Sequence, residues 1–130
     1  MKRFLLGIAI FSILPVAALY SQELGRDISR AFASGDIDII SGNMANKVEL
    51  SIDGERTQVT GPQAVERISR FMANLAWPKF TIVHKSGRDN AGFIIGNLKS
   101  NKTTYRVNIS YDRVENKDVI RTIRIEQTDD

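Results

Sequence analysis

A chain of 130 residues with 42% apolar and 25% charged side chains excludes wholesale disorder and more than one domain. Cysteine is absent, which rules out disulfides, a thiolate nucleophile and thiolate metal sites. The formal charge of +3 includes Lys2 and Arg3; without them 16 basic residues face 15 acidic ones. That balance describes a mixed solvated surface, not the clustered basic charge of a nucleic-acid binder.

Met1-Lys2-Arg3 precedes an almost wholly apolar run from Phe4 to Leu19. The run is shorter than the ~20 residues of a membrane span, and Pro15 interrupts it near its end. The pattern is that of a signal peptide, with cleavage expected after Ser21, exposing Gln22, or after Ala18. An uncleaved anchor is the alternative. No cysteine follows the run, so lipoprotein anchoring is excluded. The expectation is a leader over 1–21 and one domain over 22–130. That domain is exported to the periplasm or the outside as a soluble protein, with no stable membrane anchor after cleavage.

From Gln22 to Ser34, Leu24, Ile28, Ala31 and Phe32 form one apolar stripe at i, i+4, i+7 and i+8, the pattern of an amphipathic helix. Ser21 is the expected N-cap, and Gly35 the left-handed residue that ends the helix. Asp36 is expected to cap a short second helix carrying Ile37 and Ile40, stopped by Gly42. Lys47 to Ile52 alternates apolar and polar residues and reads as a half-buried strand. Asp53-Gly54 then predicts a two-residue hairpin whose central positions need positive φ, with Arg56 to Val59 returning as an edge strand.

Thr60-Gly61-Pro62-Gln63 predicts a helix start, with Gly61 as N-cap and Pro62 at the first helical position. A Thr60–Gln63 capping box is the alternative. The helix is expected to run to about Leu75, with Ala64, Val65, Ile68, Phe71, Met72 and Leu75 on one face and Pro78 forbidding its continuation. From Phe80 to Glu126 come four strands joined by polar turns. Phe80, Ile82 and His84 share a parity, as do Tyr105, Val107, Ile109 and Tyr111, and then Val119, Arg121, Ile123 and Ile125. Thr104, Arg106, Asn108 and Ser110 form a polar opposite face, so the sheet has one wet side and antiparallel pairing. The strand from Gly92 to Leu98 is apolar on both parities and is expected inside the sheet, with a bulge or bend at Gly96. The fold class is therefore α+β.

This order of elements resembles the nuclear transport factor 2-like superfamily, in which a strongly curved antiparallel sheet wraps N-terminal helices into a cone (a cystatin-like architecture). The chain is also similar to a family of exported Bacteroidota proteins, the domain of unknown function numbered 4783. The residues that carry the likeness are Lys47-Val48-Glu49-Leu50, Gln63-Ala64, the Phe80 to Gly87 stretch with its His-Lys-Ser-Gly, Gly96-Asn97-Leu98 leading into Tyr105-Arg106-Val107, and Ile123-Arg124-Ile125-Glu126. The resemblance spans about the whole of 22–130 and implies a fold and a cellular address, with no activity and no catalytic residues. By analogy with the superfamily, a homodimer through the outer sheet face is also an expectation.

Inside such a cone, the candidate pocket residues are His84, Tyr105, Arg121 and Trp77. His84 is the one histidine, hence the one side chain that titrates near neutral pH when unperturbed; it has no Cys, Ser or carboxylate companion at a telling spacing. Arg121 breaks an apolar parity, which points to a bulge or, alternatively, to a guanidinium lining an anion pocket. Trp77 is expected in the core, with an interface anchor or a cover for the cone's opening as the alternatives. The inward parities carry Tyr105 and Tyr111 but no Asp or Glu, so an environment for a catalytic carboxylate is missing. Lys85, Arg88, Lys99, Lys102 and Lys117 gather near hairpin tips as an anion-attracting rim or as protection against aggregation. No metal site, phosphate loop or cofactor is expected. The reading is an exported, non-catalytic binding domain for a small ligand in the cone or for a protein partner. An isomerase, dehydratase-type or hydrolytic enzyme using the cone as active site is the alternative.

Overall fold

The computed structural model describes residues 16–128, with side chains from Glu23 onward, so most of the apolar run and of the expected leader lies outside the described residues. Helix α1 (Val16–Ser34) contains Ser21 within its length, so Ser21 does not cap it. Its stripe of Leu24, Ile28, Ala31 and Phe32 is buried as the spacing requires. The helix ends at Gly35, whose φ of 81° accompanies an N–H donated to the Ala31 carbonyl at 2.8 Å. A 3-10 helix (Ile37–Asn43) follows and buries Ile37 and Ile40. Asp36 makes no side-chain cap to it, and the helix passes through Gly42 to Asn43.

Strand β1 (Met44–Ile52) and strand β2 (Glu55–Thr60) form an antiparallel hairpin. Asp53 (φ 50°) and Gly54 (φ 86°) supply the two positive φ values of its turn. The Asp53 N–H donates to the Ile125 carbonyl at 2.8 Å, which ties the turn to the last strand of the chain. Helix α2 (Gly61–Ala73) starts from a capping box. The Thr60 hydroxyl accepts from the Gln63 N–H at 3.3 Å, while Gln63 Oε1 accepts from the Thr60 N–H at 3.0 Å. This corrects the proline-led start: the reciprocal pair satisfies two otherwise orphaned N–H groups, and Pro62 fits one residue further in.

The remaining strands are β3 (Lys79–Gly87), β4 (Ala91–Ser100), β5 (Thr103–Val114) and β6 (Lys117–Thr128). All six strands form one curved sheet in the order β2-β1-β6-β5-β4-β3. Pairing is antiparallel except between β1 and β6, which run parallel because β6 closes onto the first hairpin after a long excursion. Strand β4 lies between β3 and β5, as its sequence led one to expect.

On the inner face, α1 packs against β3 and β6, and α2 against β1 and β2. The core joins α1, the 3-10 helix, α2 and the inward residues of the sheet in one cluster. Each fully buried Ile or Leu in it contributes about 1.5–3 kcal/mol relative to an exposed side chain.

Two irregularities re-aim side chains. Ile82 pairs with Gly96, but His84 pairs with Ile95, so Val83 is an extra residue in β3. Tyr111 pairs with Ile120 while Ser110 pairs with Thr122, so Arg121 is an extra residue in β6. The bend expected at Gly96 is therefore a bulge in its partner strand, and Arg121 breaks parity because it is bulged.

Candidate functional site

The concave side of the sheet is occupied by the chain's own rings. Phe32 of α1 stacks on Phe80 with centroids 5.2 Å apart, and Phe71 of α2 meets Tyr105 edge-on at 5.0 Å. Strand β4 makes room for two inward rings, Phe80 and Tyr111, by carrying glycine beneath them. A Cβ on Gly96 would lie 2.2 Å from the Phe80 ring, and one on Gly92 would lie 2.4 Å from the Tyr111 hydroxyl. Tyr105, expected to line a pocket, is instead half-buried packing against α2.

One inward carboxylate is present, contrary to the expectation that there is none. Asp118 is 3% exposed and its Oδ1 accepts from Arg113 Nε at 3.0 Å and Nη2 at 2.7 Å. The pair faces across the β5–β6 hairpin, with the Asn43 amide donating to the Asp118 carbonyl at 2.9 Å. The sequence held the signal: Arg113 and Asp118 stand symmetrically about the Glu115-Asn116 turn, both of whose residues take positive φ. Cross-strand pairing then follows from the turn alone. A carboxylate gripped on one oxygen by a guanidinium is a structural ion pair.

His84 and Arg121 lie on the solvent side of the sheet and Tyr105 on the inner side, so they line no common pocket. The Val83 bulge shifts His84 to the outer face, exposed, with its ring 5.4 Å from Phe93. Arg121 donates to exposed Asp112 at 2.9 Å. Trp77 is 87% exposed, which overturns its placement in the core. It also has φ 49°, a left-handed backbone that bulky side chains seldom adopt.

Trp77 belongs to a surface that the strand order assembles. The Ser100 hydroxyl donates to the Ala76 carbonyl at 2.7 Å, which fastens the α2–β3 connection to the β4–β5 hairpin. Lys79 and Lys99 are direct cross-strand neighbours on the outer face, and Lys102 sits in the adjoining turn, all three exposed. Further along the same two strands lie Val83 (49% exposed) and Phe93 (38%). None of these lysines has an ion-pair partner among the described residues. Exposed aromatic and aliphatic groups beside unpaired ammonium groups can dock an anionic, partly apolar partner.

Clefts also lie elsewhere among the described residues. One of about 440 Å³ runs beside α2, lined by Gln63, Arg67, Arg70 and Asn74. Another, about 190 Å³, lies on the outer face around the Glu49–Arg56 ion pair. A third of about 310 Å³ borders the β1–β2 hairpin, and a fourth of about 190 Å³ lies between α1 and the β5–β6 hairpin beside Asp118. Among the described residues no group of three or more His, Cys, Asp or Glu is placed to hold a metal ion. No helix among them is long and apolar enough to cross a membrane.

The family model of DUF4783, a domain of unknown function, matches residues 25–126. A DUF4783 family protein of Bacteroides uniformis is 30% identical, with a TM-score of 0.73 over 81% of this chain and 97% of that one. One of Bacteroides ovatus is 28% identical, with a TM-score of 0.74 over 80% and 94%. A putative dehydratase from the NTF2-like family of Streptomyces avermitilis matches at a TM-score of 0.65 over 88% of this chain and 97% of its own. At 10% identity that likeness concerns the fold alone. No curated protein matches the sequence.

Proposed function

The chain belongs to the DUF4783 family, and from that premise we propose that it is a non-catalytic binding domain whose partner meets it from outside, on the outer face of β3 and β4 around Trp77. The observation that carries this reading is the occupied concavity: Phe32, Phe80 and Tyr111 fill the space a small ligand would need, and two glycines are given up to fit them. A ligand site requires a cleft that buries most of its ligand, and these rings would have to leave first. The inward carboxylate adds support, because Asp118 already serves Arg113.

The proposal takes residues 1–21 as a leader and 22–130 as an exported domain of the periplasm or the outside. Its support is the Lys2-Arg3 start followed by the apolar run to Leu19. Native mass spectrometry of the chain from Gln22, purified from its own source, tests the binding mode. The expected result is polypeptide mass without a small-molecule adduct. A stoichiometric adduct that disappears on unfolding would contradict it.

A further inference from the structure

We propose that the β3–β4 face with Trp77 is a docking surface for a bilayer bearing anionic headgroups. This rests on the reading that the domain works from its surface, and it names the partner. Its first support is the distribution of charge. The β3–β4 hairpin and the turn that follows it, residues 79–102, hold five lysines and arginines against a single carboxylate, Asp89. The rest of the chain from Gln22 holds eleven basic residues against fourteen acidic ones. Strands β4 and β3 close one edge of the sheet, so this basic excess lies on one side of the molecule. A nearly neutral molecule with its basic excess at one edge is oriented toward an anionic surface with that edge leading.

The second support is what stands on the leading side. Trp77, Val83 and Phe93 are three of the four large apolar residues exposed among those described. Asp89 lies in the β3–β4 turn, at the opposite end of that hairpin from Trp77 and the Lys79–Lys99 pair. Trp77 is 87% exposed and therefore projects with no groove around it. A projecting indole beside lysines suits the headgroup layer, which has apolar depth, negative charge and no shape of its own. A peptide or a glycan would need walls for its side groups, and the exposure of Trp77 leaves none beside the indole.

Trp77 is the only tryptophan, so its fluorescence reports this contact without labelling. The experiment mixes the chain from Gln22 with vesicles of phosphatidylcholine alone, or with about 30 mol % phosphatidylglycerol, at low and high salt. The expected result is a blue shift with the anionic vesicles only, quenching by brominated acyl chains, and loss of both at high salt. Lys99→Glu should weaken the association about ten-fold, and Lys79→Glu similarly. Trp77→Phe, read by vesicle co-sedimentation, should weaken it several-fold while far-ultraviolet circular dichroism stays unchanged.

Absence of a shift with anionic vesicles at low salt, from a chain of native circular dichroism, overturns the proposal. So does equal binding to neutral vesicles. A shift that grows with protein concentration and needs no lipid assigns the face to a second copy and also overturns it. A shift produced only by a protein fraction does the same, while leaving the surface reading intact. That reading itself fails through a different result, a small-molecule adduct in the native mass.

Discussion

Removing Asp118 leaves the Arg113 guanidinium inside the β5–β6 end of the cone without its carboxylate. Breaking a buried pair in this way costs about 3–5 kcal/mol, because the remaining charge keeps its desolvation penalty. Urea unfolding of Asp118→Ala should show a loss of that size. Replacing both residues, Arg113→Met with Asp118→Leu, should cost clearly less than the single change. Gly96→Ala should lose about 1–3 kcal/mol, since the Phe80 ring has to move, and the loss should shrink in a Phe80→Leu background. Trp77→Ala, in contrast, should change stability by less than about 0.5 kcal/mol, as expected of a side chain that packs on little. A loss above about 1 kcal/mol there would mean that the indole is structural after all. At this scale the sequence was a partial guide. Burial of Leu24, Ile28 and Phe32 was legible from spacing. The exposure of Trp77 was not, because size and apolarity favour burial on average and only the connection between α2 and β3 decides the individual case.

Between elements, the hairpins were the most legible feature, since Asp53-Gly54 states its own geometry. The start of α2 was half legible: two caps competed in four residues, and the reciprocal Thr60–Gln63 pair won. Thr60→Ala should therefore cost about 1 kcal/mol in thermal or urea unfolding, and Gly61→Ala should not reproduce that loss through capping. The bulges were illegible. An extra residue at Val83 or Arg121 depends on where the partner strand places its hydrogen bonds, and alternation within one strand carries no record of that. This is why His84, inward by parity, stands outside beside Phe93. It also explains the two-sided apolar character of β4: its inner parity serves the core, and its outer parity forms part of the exposed face.

Across the whole molecule, the architecture followed from the order of elements, while the candidate site did not. The basic edge emerges only when the strand order sets β3 and β4 at one side of the sheet, although the charge of residues 79–102 is plain in the sequence once that segment is isolated. The cone's interior was the larger uncertainty, because alternation says which residues point inward and nothing about the space left between them. Its filling is the claim on which the functional reading depends. The direct measurement is methyl NMR of the buried isoleucines, Ile28, Ile94, Ile109 and Ile123, during titration with xenon or benzene. Apolar cavities of about 150 Å³ bind such probes saturably. The account predicts no saturable shift in the native chain, and a saturable shift in Phe80→Ala, which removes the ring between Phe32 and Gly96. A saturable shift in the native chain would reveal an internal cavity and return the site to the inside of the cone.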